Sequence, residues 1–249
     1  METRFLLFIA IIFSLFSTSS CTTTGKVTYF QNTNDSISLR FLGMEDAKIQ
    51  YNDILSVIIS SRSKEASMDY NKQDALASKG YTVTSNGNIL LPSLGYIQAV
   101  GLTKKQLSDN IVNLINSKKL LLDPIVEIHL LNFEVTVLGE VSHPLVINVA
   151  NEQISLVKAL GMAGDITIYG KRHNILLIRE EDGIRTTRRI DISSSKFLQS
   201  EYYYLKPNDV IYVEPNKSKV AISGRSQQIL PVVITSVSFL FLILDKVIK

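Results

Sequence analysis

The sequence has one cysteine, Cys21, and three histidines, His129, His143 and His173, standing far apart. A single thiol excludes an internal disulfide framework and any multi-cysteine metal site. Basic runs are missing too: 26 Lys and Arg against 23 Asp and Glu are scattered along the chain, leaving +3 and no cluster that would neutralise a row of phosphates. Nucleic acid is therefore not an expected partner. Nor does the chain carry a Gly-x-Ser-x-Gly elbow, a His-Glu-x-x-His pair or a paired-cysteine motif. The nearest approach to a phosphate loop, GDITIYGKR from Gly164 to Arg172, has one residue too many between its glycines and puts Arg172 where a hydroxyl should hold magnesium. His143 precedes Pro144 in a tight connection, His129 shares the polar face of a strand with Glu127, and Glu180, Glu181 and Asp182 beside Gly183 read as a hairpin tip. No catalytic group, metal or cofactor is expected.

What the chain does have is length for one large or two small domains, with 45% hydrophobic and 20% charged residues among 249. Two apolar segments stand near its ends. FLLFIAIIFSLF over residues 5–16, after Arg4 and before the small residues Ser17, Thr18, Ser19 and Ser20, reads as a secretory signal peptide of residues 1–20. The run is shorter than the ~20 residues a membrane span requires. Cys21 follows directly, at the position of the lipid-bearing residue of a bacterial lipoprotein signal, and residues 21–44 read as a lipidated N-terminus and polar tether.

The middle is α+β with small sheets. Thr103 and Gln106 have capping-box spacing, and Leu107, Ile111, Leu114 and Ile115 then fall on one helical face. A second helix follows Ser155, turns Leu156, Val157, Ala159 and Leu160 inward and stops at Gly164. Alternation predicts half-buried strands over 126–130 and 133–137, joined near Asn132. Further strands are expected at 81–83, 89–91, 175–178 and 210–213, with turns at Asn86-Gly87 and Asp182-Gly183. Asn52-Asp53-Ile54-Leu55-Ser56-Val57 is echoed by Asn208-Asp209-Val210-Ile211-Tyr212-Val213. Two related modules explain the echo; so does ordinary Asn-Asp turn chemistry before a strand. Tyr202, Tyr203 and Tyr204, read as alternating along a strand, offer rings that can stack on sugars, with at least one of them facing the core.

The order of these motifs resembles the bacterial polysaccharide export family, an export domain followed by a soluble-ligand-binding β-grasp domain. YNDILSV from Tyr51 resembles the family's opening strand, YTVTSNGNILLPSLGYIQAVGLT from Tyr81 its central stretch, and Asp123-Pro124-Ile125-Val126 its close. VTVLGEVSHPLVI from Val135, ALGMAGD from Ala159, LLIRE from Leu176 and YLKPNDVIYVEPN from Tyr204 resemble the second module. The resemblance sets the expected domains at 45–131 and 132–216, with a connector over 217–228. It implies an outer-membrane protein, lipid-anchored with its body in the periplasm. It also implies a homo-oligomeric ring through which a capsular or extracellular polysaccharide chain leaves. The implied partner is an inner-membrane polysaccharide co-polymerase or tyrosine kinase. The competing reading is a lipid-tethered sugar-binding module without a pore.

The C-terminal segment carries no charge over residues 229–244, and a helix of residues 229–248 would extend about 30 Å at ~1.5 Å per residue. It is expected to be a transmembrane helix, with Ile229, Val233, Val237, Leu240 and Leu244 membrane-spanning. Thr235, Ser238 and Asp245 on another stripe, and Gln228 at the boundary after Arg225, are the candidates to face a lumen. A plain hydrophobic anchor is the alternative.

Overall fold

A computed structural model describes residues 28–31, 47–68, 70–71, 80–181, 183–223 and 226–248. The signal segment, Cys21, most of the expected tether, Asp182 and Arg225 lie outside the described residues.

The first unit begins with β1 (Ile54–Ser60), whose alternation buries Leu55, Val57 and Ile59. It is followed by a short helix, α1 (Lys64–Met68), and is flanked antiparallel by β2 (Tyr81–Thr82) and β5 (Ile125–Leu130), giving the order β2-β1-β5. A hairpin of β3 (Asn88–Leu91) and β4 (Gly95–Gln98) closes one side. The turn between β2 and β3 uses Gly87 at φ +78°. Helix α2 (Lys104–Ser117) starts at the predicted capping box: Gln106 N donates to Thr103 Oγ1 at 3.2 Å and Thr103 N to Gln106 Oε1 at 2.9 Å. Its face of Leu107, Ile111 and Ile115 is fully buried, at roughly 1.5–3 kcal/mol for each side chain removed from water.

The second unit is a five-stranded mixed sheet, built from β6 (Glu134–Gly139), β7 (Leu145–Asn148), β8 (Gly170–Glu181), β9 (Ile184–Ile190) and β10 (Val210–Pro215) in the order β7-β6-β10-β8-β9. Only the central β6–β10 pair is parallel. Helix α3 (Leu156–Met162), capped by Ser155 Oγ accepting from Lys158 N at 3.1 Å, packs Leu156, Ala159 and Leu160 on the sheet and ends before Gly164 at φ +74°. At the end of β6, Gly139 has φ +91°, and a Cβ there would meet Val213 O at 2.1 Å, so no other residue fits.

The strands over 126–130 and 133–137 form and meet near Asn132 as expected, β5 in the first sheet and β6 in the second. Asn132 is committed there: its Oδ1 accepts from Ile54 N at 2.9 Å and its Nδ2 donates to Asn52 O at 3.2 Å. Alternation reports a half-buried strand, not its neighbour. The expected tether is not free throughout. Tyr29 and Phe30 pack on the second core, Gln31 N donates to Ser193 O at 2.6 Å, and Arg172 lies 5.2 Å over the Tyr29 ring. Two aromatics together have apolar area to bury, which polar average composition conceals. Finally, Tyr202 and Tyr203 sit in a turn and bend and Tyr204 in a single bridge to Ser155, rather than along a strand.

After β10 the chain forms α4 (Lys217–Ser223) and then α5 (Ser226–Ile248), 23 residues with Pro231 in the early turns. The C-terminal helix is present as expected, but among the described residues no helix is long and apolar enough to cross a membrane.

Candidate functional site

The two Asn-Asp turns are built alike. Each asparagine has φ +65°. Asn52 N donates to Val83 O at 3.0 Å and Asn208 N to Glu134 O at 2.8 Å, while Asp53 O and Asp209 O accept from Val83 N and Thr136 N at 2.8 and 2.9 Å. Each aspartate then accepts the backbone amide three residues back, Gln50 N or Lys206 N, at 2.8 Å on Oδ2. The left-handed asparagine lets the chain reverse into a strand while the carboxylate closes the turn.

They differ in charge. Asp209 is fully buried and bound by Arg179, Nε to Oδ1 at 2.9 Å and Nη2 to Oδ2 at 2.7 Å. Burial pushes its carboxyl up against the pull of Arg179 and the Lys206 amide. Asp53 is 3% exposed and has no cation among the described residues, so burial pushes its carboxyl up to about 6 against the pull of the Gln50 amide alone.

Both turns open onto a cleft of about 500 Å3 where the units meet, lined by Tyr51, Asn52, Asp53, Glu180, Arg185 and Asn208 among others. Two connections join the units. Gln50 Nε2 donates to Glu180 O at 2.8 Å at the cleft. Elsewhere Glu152, at φ +52°, reaches from the second unit to accept Leu130 N at 2.7 Å and to pair with Lys104. His129 Nδ1 lies 3.5 Å from the same carboxylate, with 56% of its side chain exposed. The sequence marked Asn52, Asp53, Asn208 and Asp209 as turn formers only; their shared cleft depends on how two units dock. The echo of the two motifs was the signal that could have paired them.

Where the remaining candidates lie is plain. His143 is in the β6–β7 connection, its amide donating to Ala163 O at 2.8 Å. Arg172 is buried and donates to Ile166 O at 2.8 Å, a packing role that leaves no phosphate loop. Tyr203 packs edge-on to Tyr204 at 5.0 Å, and Tyr202 lies 5.5 Å from the Arg179 guanidinium, so these rings brace the second core. In α5, Ile229, Val233 and Val237 are exposed. The Thr235 hydroxyl donates to Pro231 O at 2.9 Å and Ser238 to Ile234 O at 2.8 Å, which spends their polarity on their own helix. The side chains of Gln228, Leu240, Leu244 and Asp245 lie outside the described residues.

Residues 43–131 match the family described as polysaccharide biosynthesis/export protein, and residues 134–213 match the SLBB domain. The chain thus carries a polysaccharide biosynthesis/export domain followed by an SLBB domain. It is 28% identical over 160 residues to the "EPS I polysaccharide export outer membrane protein EpsA" of Ralstonia solanacearum, and 30% identical over 160 residues to the protein of the same name from Ralstonia nicotianae. Both comparisons cover 61% of this chain and 41% of the relative. The chain thus spans about two fifths of the length of the curated relatives it matches, and those relatives are outer-membrane proteins by name, in keeping with the outer-membrane placement expected above.

The export domain contributes Tyr51, Asn52 and Asp53 to the cleft, and the SLBB domain Glu180, Arg185 and Asn208. The exit from the SLBB domain is also fixed. Asn216 Oδ1 accepts Lys219 N at 3.0 Å to cap α4, and Lys219 Nζ lies 5.2 Å from the Tyr169 ring. Beside it, Arg189 and Lys171 converge on Glu214 and hold its carboxyl down at about 2.

Proposed function

We propose that this chain is an outer-membrane component of polysaccharide export, assembling as a homo-oligomeric ring through which a capsular or extracellular polysaccharide leaves the cell. The succession of export domain and SLBB domain on one chain carries the reading. The chain supplies a passage and performs no chemistry; an inner-membrane polysaccharide co-polymerase or tyrosine kinase drives the polymer.

Cys21 carries the lipid in this reading. It stands eight residues before Tyr29, which is held on the SLBB domain by Arg172 and Asp165, so the anchor reaches at most about 28 Å from that domain. Helices α4 and α5 leave the same domain two residues after β10. Both attachments favour an SLBB domain next to the membrane and an export domain farther into the periplasm. Helix α5 crosses the membrane beside its copies, with Ile229, Val233, Val237, Leu240 and Leu244 in lipid or between helices, and Gln228, Thr235, Ser238 and Asp245 toward the lumen. The domain limits that go with this reading are 45–131, 132–216, 217–228 and 229–248.

Native mass measurement on protein extracted from outer membranes in mild detergent tests it, together with a Cys21→Ser variant. A closed ring from wild type, and loss of membrane placement in the variant, are the expected results. A strictly monomeric wild type would remove the pore and leave a tethered sugar-binding module.

A further inference from the structure

We propose that the cleft between the export and SLBB domains is a saccharide subsite for a neutral, hydroxyl-rich pyranose unit, an inference that rests on the export reading above. Its polar groups are committed on the protein side only in part. Asp53 is nearly inaccessible, faces the cleft, and accepts from Gln50 N alone among the described side-chain contacts. The carboxamides of Asn52 and Asn208 and the phenol of Tyr51, 54% exposed, take no hydrogen bond among the described residues.

A pyranose matches this set group by group. Its hydroxyls donate to a carboxylate without bringing a counter-charge, a carboxamide both donates to and accepts from neighbouring hydroxyls, and the Tyr51 ring covers the apolar C–H face of the sugar. Few polar groups converging in a concave site are what fixes a ligand's orientation. Charge sets the class. Arg185 is paired with Glu180 at 2.9 Å, so a uronate or phosphate would have to share that guanidinium while facing Asp53 without a cation. Neutral units avoid that repulsion.

The subsite also explains why the two turns meet. Each places a left-handed asparagine at the cleft, one from each domain, so a bound sugar contacts both walls, which the Gln50–Glu180 hydrogen bond joins.

The test uses the full-length protein in detergent, titrated with neutral oligosaccharides released from the polysaccharide that the source strain exports, and with oligogalacturonate as the anionic probe. Asn52→Gly and Asn208→Gly keep the left-handed turns while removing the carboxamides, and Tyr51→Ala removes an exposed ring. Each should weaken neutral-sugar binding about three- to tenfold with the melting temperature unchanged, the loss of roughly one hydrogen bond or stacking contact. Oligogalacturonate should bind more weakly than the neutral probe. No binding by wild type, equal binding by all variants, or preference for the anionic probe would each overturn the inference. Restoration of export in a deletion strain reports separately on the export reading: export restored without cleft binding sinks only the subsite, and binding without restored export leaves the subsite on a module that does not export.

Discussion

Asp53 and Asp209 occupy the same place in two turns with the same hydrogen bonds, yet only Asp209 has a guanidinium against it. In the SLBB domain the carboxylate is part of the core: Arg179, 7% exposed at its side chain, joins β8 to the turn that launches β10. In the export domain the equivalent carboxylate faces a cleft, uncompensated. One turn geometry thus serves a structural bond in one domain and an open polar site in the other. The choice is made by whether a cation lies on the adjacent strand, not by the turn itself.

The largest effect should come from Asp209→Ala. It leaves Arg179 buried and unpaired, and chemical denaturation should show a loss of about 3–5 kcal/mol. Asp53→Asn should move the other way. The amide still accepts Gln50 N and sheds a charge buried without a partner, so stability at pH 7.5 rises by on the order of 1 kcal/mol. If both substitutions destabilise alike, the contrast between the turns is wrong.

Asp53 also gives stability a pH dependence with a definite sign. Its carboxyl sits at about 6 in the folded protein against 3.8 ordinarily, so the folded state keeps a proton that the unfolded chain has released. Its contribution is fully present below pH ~4, falls as pH rises toward 6, and is absent above that. Denaturation midpoints across this range, compared between wild type and Asp53→Asn, should differ by that component. The smallest effects are expected at the asparagines. Asn52→Ala and Asn208→Ala should each cost roughly 1 kcal/mol because both have φ +65°, while the glycine variants stay within a few tenths. A large asymmetry there would mean that one amide has a structural partner.

Local chemistry was well written in the sequence. Thr103 with Gln106 and Ser155 before its helix announced both helix starts, because a cap needs only a side chain and amides two or three residues on. β4, β7 and β9 were less legible. β9 reads IRTTRRI with six of seven residues exposed, so it is an edge strand held by pairing to β8 rather than by an apolar face. The docking of Tyr29, Phe30 and Gln31 on residues 192–195 was equally invisible, since it joins segments some 160 positions apart by backbone hydrogen bonds that any sequence can make.

The sequence by itself determined the order of export and SLBB motifs, both helices that begin at Thr103 and Ser155, the α+β class and the two Asn-Asp turns. All rest on interactions within a few residues or on the period of buried positions. Only the tertiary structure decided that Arg179 neutralises one aspartate and not the other, and that the two turns face one cleft. Pairing partners and the field at a buried carboxylate depend on distance in space, which chain separation does not encode.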